Sequence, residues 1–265
     1  MIVRFLVALF FPVLAVAPAF AQMKPSECLA VAMNGARLQF AALQPDEVGI
    51  TYVDHSTFVI ESPGGVRAAT DFNGSAGGIV PDVVTMNHAH GSHYTDFPDP
   101  AIKHVLRGWG EAPDKPADHD VTVGDMRIRN VTTDIRNLGG RNPGGREANG
   151  NSIFVFEAGG LCIGHLGHLH HELTPAHKGW IGRLDVVMVP VDGGMTLPVE
   201  NMMAVLKDLN VRVILPMHAR FAGSLERFLA VARKEFAVVR LKENAMVASV
   251  AMLPDRPTVY VMPGM

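Results

Sequence analysis

Residues Val83–His93 read VVTMNHAHGSH. A short apolar, β-branched run stops at Asn87 and releases three histidines, His88, His90 and His93, at spacings of two and three. Side chains of an extended run alternate, so His88 and His90 point the same way, and the turn at Gly91-Ser92 lets His93 swing round to the same point. Imidazoles converging at a strand exit suit borderline-soft divalent ions, zinc above all.

The pattern recurs along the chain. LCIGHLGHLHHEL sets His165, His168, His170 and His171 at the exit of a second apolar strand, and VILPMH ends a third on His218. Seven of the 12 histidines lie in two short windows and an eighth ends a third strand, which a merely polar loop does not explain. His104, His119 and His177 belong to no such constellation and read as surface residues.

The N-terminus, MIVRFLVALFFPVLAVAPAFAQ, carries one arginine, an apolar run to about Val16, and Ala-Phe-Ala before Gln22. It reads as a secretory signal cleaved after Ala21, because Pro12 and Pro18 interrupt it and it falls short of the ~20 residues a membrane span needs. Three segments are therefore expected: a signal over 1–21, a leader over 22–47 with a short helix at Glu27–Ala32 capped by Ser26, and one domain over 48–265. The product would be periplasmic or secreted, with no stable membrane span after cleavage. A net charge of −3 and the lack of a Lys/Arg stripe argue against nucleic acid and leave a small molecule as the partner. Cys28 and Cys162 could pair in an oxidising compartment. Cys162 sits inside an apolar strand and Cys28 in the leader helix, settings where small buried thiols are common, so free thiols are expected. Neither belongs to a CxxC motif, so cysteine-based metal or redox chemistry has no support.

From Val48 the pattern has period two: GITYVDHSTFVIES, a turn at Pro63–Gly65, then VRAATDF, which together predict a hairpin ending in Thr70-Asp71. IKHVLRGWG and DVTVGDMRIRNVTTD add short strands, and SIFVFEAGGLCIGH turns at Ala158–Gly160. Between them NLGGRNPGGREANG, residues 137–150, holds five glycines and reads as a loop, either a flap over a site or a plain connection. From Leu173 to Phe236 strands and helices alternate: LDVVMVPV, a helix over Val199–Leu209, VRVILPM, and a helix over Ser224–Lys234. MVASVAML and PTVYVM close the chain as strands. Hairpins in front and βα units behind predict two sheets packed face to face with helices outside and the histidines along one rim.

Six segments in order, VDHSTFVIE, ATDF, HAHGSH, HLGHLHH, PVDGG and LPMH, resemble those of the metallo-β-lactamase fold superfamily, in the branch of L-ascorbate-6-phosphate lactonase and the N-acyl-phosphatidylethanolamine phospholipase D relatives. The resemblance runs from roughly Gly49 to the C-terminus. It implies an α/β fold, an αββα four-layer sandwich of mixed sheets with a site at the sheet edge. The nucleophile would be metal-bound water, whose pKa a divalent ion lowers from about 15.7 to about 7. Three positions depart from the pattern. Ser92 stands where the family's HxHxDH has its Asp, His168 where HLGD has its metal-bridging Asp, and NVTTDIRN lacks a separate His, leaving Asp134 as the nearest substitute. With two carboxylates exchanged for a hydroxyl and an imidazole, one zinc is expected rather than two.

The ligands the resemblance implies are His88, His90 and His168, with His93 and His218 adjacent as ligands or substrate contacts. Asp71 would stand behind a ligand imidazole and fix its tautomer, with His55, Ser92 and Asp134 around the site. His165 and His171 match the first and last histidines of the family's HLGDLGH, and His170 replaces a glycine and could add a donor. The implied activity is hydrolysis of an ester, lactone, amide or phosphodiester, with His93, His171 or His218 handling protons. The alternative, favoured by Ser92 and His168, is a zinc-binding or ligand-sensing protein that kept the fold and lost hydrolysis.

Overall fold

The computed structural model describes residues 28–29, 46–88, 90–112, 114–136 and 145–265. The expected signal, most of the leader with its helix, and residues 137–144 of the glycine-rich stretch lie outside the described residues. In chain order the strands are β1 (Val48–Asp54), β2 (Thr57–Glu61), β3 (Arg67–Ala69), β4 (Val83–Met86), β5 (His104–Arg107), β6 (Asp120–Val123), β7 (Met126–Arg136), β8 (Arg146–Ala158) and β9 (Leu161–His165). Helix α1 (Pro175–Ile181) follows, then β10 (Val186–Pro190), α2 (Val199–Leu209), β11 (Val213–Met217), α3 (Ser224–Ala232), β12 (Ala237–Arg240), β13 (Ala245–Ala248) and β14 (Thr258–Val261).

Two mixed sheets result, as the hairpin and βα patterns predict. The smaller runs β13-β1-β2-β3-β4-β5, antiparallel up to β3 and parallel from β3 to β5. The larger runs β12-β14-β11-β10-β9-β8-β7-β6, parallel from β12 to β9 and antiparallel beyond. The closing strands serve both sheets, β13 pairing with β1 and β14 lying between β11 and β12.

Between the sheets Ile50, Ile60 and Val83 meet Ile128, Phe154, Phe156 and Met188 in one apolar cluster. The outer face of the larger sheet, Val187, Val189 and Ile214, is covered by α2 and α3. In α2, Met202, Met203, Val205 and Leu206 recur at helical spacing and form its buried face. The helix stops at Asn210, which takes the left-handed conformation that Asn tolerates. The outer face of the smaller sheet, Val59, Ala69, Val84 and Met86, is covered among the described residues by the irregular segments carrying Phe72, Ala76, Ile102 and Trp109.

Several local expectations change. The period-two stretch after Val48 is two strands, not one: the chain reverses at His55-Ser56, so β1, β2 and β3 form a meander. Alternation continues through such a tight turn, which hides it from a pattern reading. Residues 146–150 extend β8, Arg146 and Glu147 pairing with Arg136 and Ile135, so less of the glycine-rich stretch remains to act as a flap. Helix α1 and strand β12 have weak signals: α1 buries only Ile181 and is defined by a Thr174–His177 capping box, and β12 is a four-residue edge strand. No helix among the described residues is long and apolar enough to cross a membrane.

The cysteines are also corrected: Cys28 and Cys162 form a disulfide across 134 residues of sequence. Cys162 faces the outer apolar layer of the larger sheet, and Cys28 is buried beside it. Arg183 N–H donates to the Cys28 carbonyl, holding the leader against the segment after α1. Burial of both thiols was expected; their adjacency is tertiary and has no local signal. The double substitution Cys28→Ser/Cys162→Ser is expected to lower the unfolding free energy by about 2–5 kcal/mol, read from urea denaturation against the oxidised parent.

Candidate metal centre

The site is made of strand exits. His55 follows β1, Asp71 follows β3, His88 follows β4, and His93 comes round the turn after it. From the larger sheet His168 follows β9, Asp192 follows β10 and His218 follows β11. Because β3 and β4 are parallel, and β9, β10 and β11 are parallel, their carboxyl ends open on one edge, where open α/β sheets place ligands. The two sheets are joined there by the His218 N–H, which donates to the His55 carbonyl at 2.9 Å.

One ligand atom from each of His55, His93 and His218 lies within 4.8 Å of the others. The ring of His168 lies 4.9 Å from that of His93 and 4.8 Å from that of His218, and 5.6 Å from His88. His90 stacks on His88 at 6.2 Å and lies tilted 5.9 Å from His93. The five histidines expected at the metal thus share one cluster, and His55 closes it at 4.3 Å from His218.

Hydrogen bonds behind the rings set which nitrogen faces inward. His93 Nδ1–H donates to Asp71 Oδ2, His218 Nδ1–H to Asp192 Oδ2 at 2.8 Å, and His88 Nδ1–H to the Gly150 carbonyl at 2.7 Å. Each leaves its Nε2 lone pair free, the arrangement that orients a metal-binding imidazole. The Nε2 atoms of His55 and His93 are buried without a hydrogen-bond partner. Buried polar atoms normally find one, and a divalent cation satisfies both, so these residues fit a metal ion.

The two carboxylates are held as firmly as the rings. Asp71 is fully buried and its Oδ1 accepts the Asn87 N–H at 3.1 Å. Asp192 Oδ1 accepts N–H groups of Gly194, Met195 and Thr196, and Oδ2 accepts the Thr196 hydroxyl at 2.7 Å. Burial works against ionisation of both, but the His93 contact at Asp71 and the His218 and Thr196 hydrogen bonds at Asp192 outweigh it and hold both below the ordinary carboxylate range. The loop carrying Asp192 is pinned by Arg136, whose Nη2 donates to the carbonyls of Gly194, Met195 and Thr196.

The imidazoles move the other way. Burial first, and then the neighbouring rings of His218 and His93, lowers His55 to about 4. Burial also lowers His88 and His90, and lowers His168 far below its usual range. At neutral pH these rings are uncharged, the form a metal needs.

Other expected residues fall outside the ligand cluster. His165 is fully buried and structural: its Nε2–H donates to the Ser56 carbonyl, and its Nδ1 accepts from the Asn87 side chain and the Gly167 N–H. Gly167 sits at φ 59°, where a Cβ would collide with the Asn151 side chain, so the turn into His168 requires glycine. His171 lies beyond His170, 6.4 Å away, and bonds the Ile135 backbone. Asp134 is engaged by Arg146 and the Asn149 N–H. Ser92 Oγ lies 3.1 Å from His90 Nδ1. Of the histidines read as surface residues, His119 is half-buried and bonds the Arg107 carbonyl, while His177 caps α1. Asp192 was missed, although its position directly after an apolar strand, as for Asp71, is the signal that could have found it. Asn87 and Arg136 act through backbone neighbours and leave no pattern.

A mixed-sheet sandwich with an imidazole cluster at one edge defines a metal-dependent hydrolase-like fold. The beta-lactamase superfamily domain model matches residues 49–218, and the chain belongs to that superfamily, with the metallo-β-lactamase fold. Among solved structures it is similar to a protein of Thermotoga maritima assigned as a zinc-dependent hydrolase of the metallo-β-lactamase superfamily, at 27% identity and TM-score 0.59, over 81% of this chain and 98% of that one. A variant of the Streptomyces venezuelae β-hydroxylase CmlA shares the fold at 10% identity and TM-score 0.52, over 78% of this chain and 55% of that one. No curated protein matches the chain. The branch of ascorbate-phosphate lactonase and phospholipase D relatives has no support from these likenesses.

Two outcomes follow from the carboxylates and the lowered imidazoles. Asp71→Asn and Asp192→Asn are each expected to weaken affinity for added zinc about 10–100-fold, measured by chelator competition, because the imidazole in front of each carboxylate, His93 or His218, loses its anchor. In the metal-free protein, imidazoles with an ordinary value of 6.5 are depressed by folding, His55 to about 4. Between those limits the unfolded chain binds more protons, so stability is lost as pH falls through that window. The carboxylates, depressed from 3.8, add their loss only at lower pH. The urea midpoint in chelator should therefore drop steadily from pH 7 to about 4.5; a flat profile would contradict the burial of neutral rings.

Proposed function

We propose that the chain is an exported, metal-dependent hydrolase in which His55, His93 and His218 hold a single zinc ion. The observation that carries this reading is the convergence of one ring nitrogen from each of the three within 4.8 Å, in a group where the buried Nε2 atoms of His55 and His93 have no hydrogen-bond partner. Bound there, the ion would supply a coordinated water of pKa about 7 and polarise the scissile oxygen of the substrate. The chain's own residues do the rest. Asp71 and Asp192 orient two ligand rings and place two negative charges behind a doubly charged ion. His88 and His90 stand on the open side, with His90 exposed, where an uncharged imidazole can accept a proton.

Export is supported by the apolar N-terminus and by the Cys28–Cys162 disulfide, a bond that persists in oxidising compartments. The substrate class proposed is a small ester, lactone, amide or phosphodiester. The test is to purify the mature chain, measure metal per chain, and screen those four bond types with and without chelator. One zinc per chain and chelator-sensitive turnover are expected, with metal lost in His93→Ala and His218→Ala. Stoichiometric zinc without turnover would leave a metal-binding protein that has lost hydrolysis, the reading that the absence of a carboxylate among the three proposed ligands favours.

A further inference from the structure

His168 stands where the family's pattern has a metal-bridging carboxylate, and its ring borders those of His93 and His218. Its hydrogen bonds point to another role. The Arg136 backbone N–H donates to His170 Nδ1. A backbone N–H can only donate, so His170 Nδ1 carries the lone pair and the ring proton is on Nε2. That Nε2 lies 2.6 Å from His168 Nδ1. His170 must donate in this contact, so His168 Nδ1 accepts and its proton is on Nε2. Coordination through His168 Nε2 would need the reverse order, with a proton on His168 Nδ1 and another on His170 Nδ1, facing the Arg136 N–H head on.

We propose that His168 is a hydrogen-bond donor in the site and not a metal ligand: the relay Arg136 N–H, His170, His168 presents an Nε2–H toward an oxygen atom of the substrate. This rests on the metal centre proposed above and assigns the substrate a carbonyl or phosphoryl oxygen that gains negative charge as the bond breaks. His168 keeps its proton throughout; its work is electrostatic, and the relay removes the freedom of the ring to present a lone pair instead. His88, His93 and His218 differ in kind, because each donates from Nδ1 to an oxygen, which leaves Nε2 as the nitrogen a metal would take. The site therefore holds two chemically distinct sets of imidazoles built from the same residue type.

The test is nitrogen-15 NMR of histidine-labelled protein, which separates protonated, unprotonated and metal-bound ring nitrogens. In the metal-free protein His168 Nε2 should be protonated and Nδ1 unprotonated, whereas His93 and His218 should carry a proton on Nδ1. On adding zinc, His93 and His218 Nε2 should move to the metal-bound range while His168 Nε2 stays protonated. An unprotonated His168 Nε2 in the metal-free spectrum, or its coordination on adding zinc, overturns the proposal. If no ring nitrogen responds to zinc, the metal reading fails, and with it the role given to His168, whatever the tautomer found. As a second measurement, His168→Ala should keep one zinc per chain, and on an active substrate should lose about 10²–10³ in kcat with KM little changed. His168→Gln, which retains an N–H, should recover part of that loss. Loss of zinc from a folded His168→Ala would also overturn the proposal.

Discussion

The contact between Asp71 and His93 holds the site together. Both side chains are almost wholly excluded from water, at 0% and 1% exposure. A lone buried carboxylate costs several kcal/mol and is tolerated only when its oxygens are filled. At Asp71 one oxygen takes the Asn87 N–H from the strand exit of β4 and the other takes the His93 ring. The Asp71 carbonyl accepts the Thr57 hydroxyl from β2. One residue thus ties β2, β3 and β4 to the histidine turn, and the turn cannot leave without stranding a charge. Asp192 repeats the device on the larger sheet with His218. The two sheets therefore meet through a pair of carboxylate-backed imidazoles.

In the metal centre proposed above, negative charge stands one hydrogen bond and one imidazole ring away from the ion. A carboxylate that coordinates directly can bridge two metals; a carboxylate that holds an imidazole cannot, so Asp71 and Asp192 can balance the charge of one divalent ion without creating a second position. The donors that remain are nitrogens. Imidazole sites suit zinc, copper, iron and nickel, and offer little to magnesium, calcium or manganese, which prefer oxygen. Ser92 and His168 are the residues through which the sequence makes this change, the first by bonding His90 and the second by joining the relay with His170.

Much of the fold was legible because strand exits carry their chemistry in sequence. The apolar runs before His88, His168 and His218 could be read directly, and α2 was bounded at Val199 and Leu209 by its apolar spacing and Asn210. The βα half was clear for the same reason. What escaped depends on tertiary neighbours. The reversal at His55 is concealed by continuing alternation, the disulfide joins residues whose proximity only the packed sheet creates, and α1 has no apolar stripe to read. At the site, the histidines were visible as a set, but their tautomers were not. Those follow from which backbone group lies behind each ring, Gly150, Arg136 or a carboxylate, and no local pattern encodes that.

Three of the site residues also share a conformation that sequence does not announce. His55, Asp71 and His218 all have positive φ, at 46°, 46° and 55°. Asp and His visit that region more often than most side chains, but a non-glycine residue there still carries strain of about 1–3 kcal/mol and persists only where its surroundings fix it. Here they do: the His218 N–H is bonded to the His55 carbonyl, and the adjoining Ser56 carbonyl is held by the buried His165. The strain serves the geometry. An extended chain leaving β1 or β11 would carry its imidazole on along the strand direction, and the left-handed turn folds it back over the sheet edge. The apolar core and the His165–Asn87 network support that turn from behind.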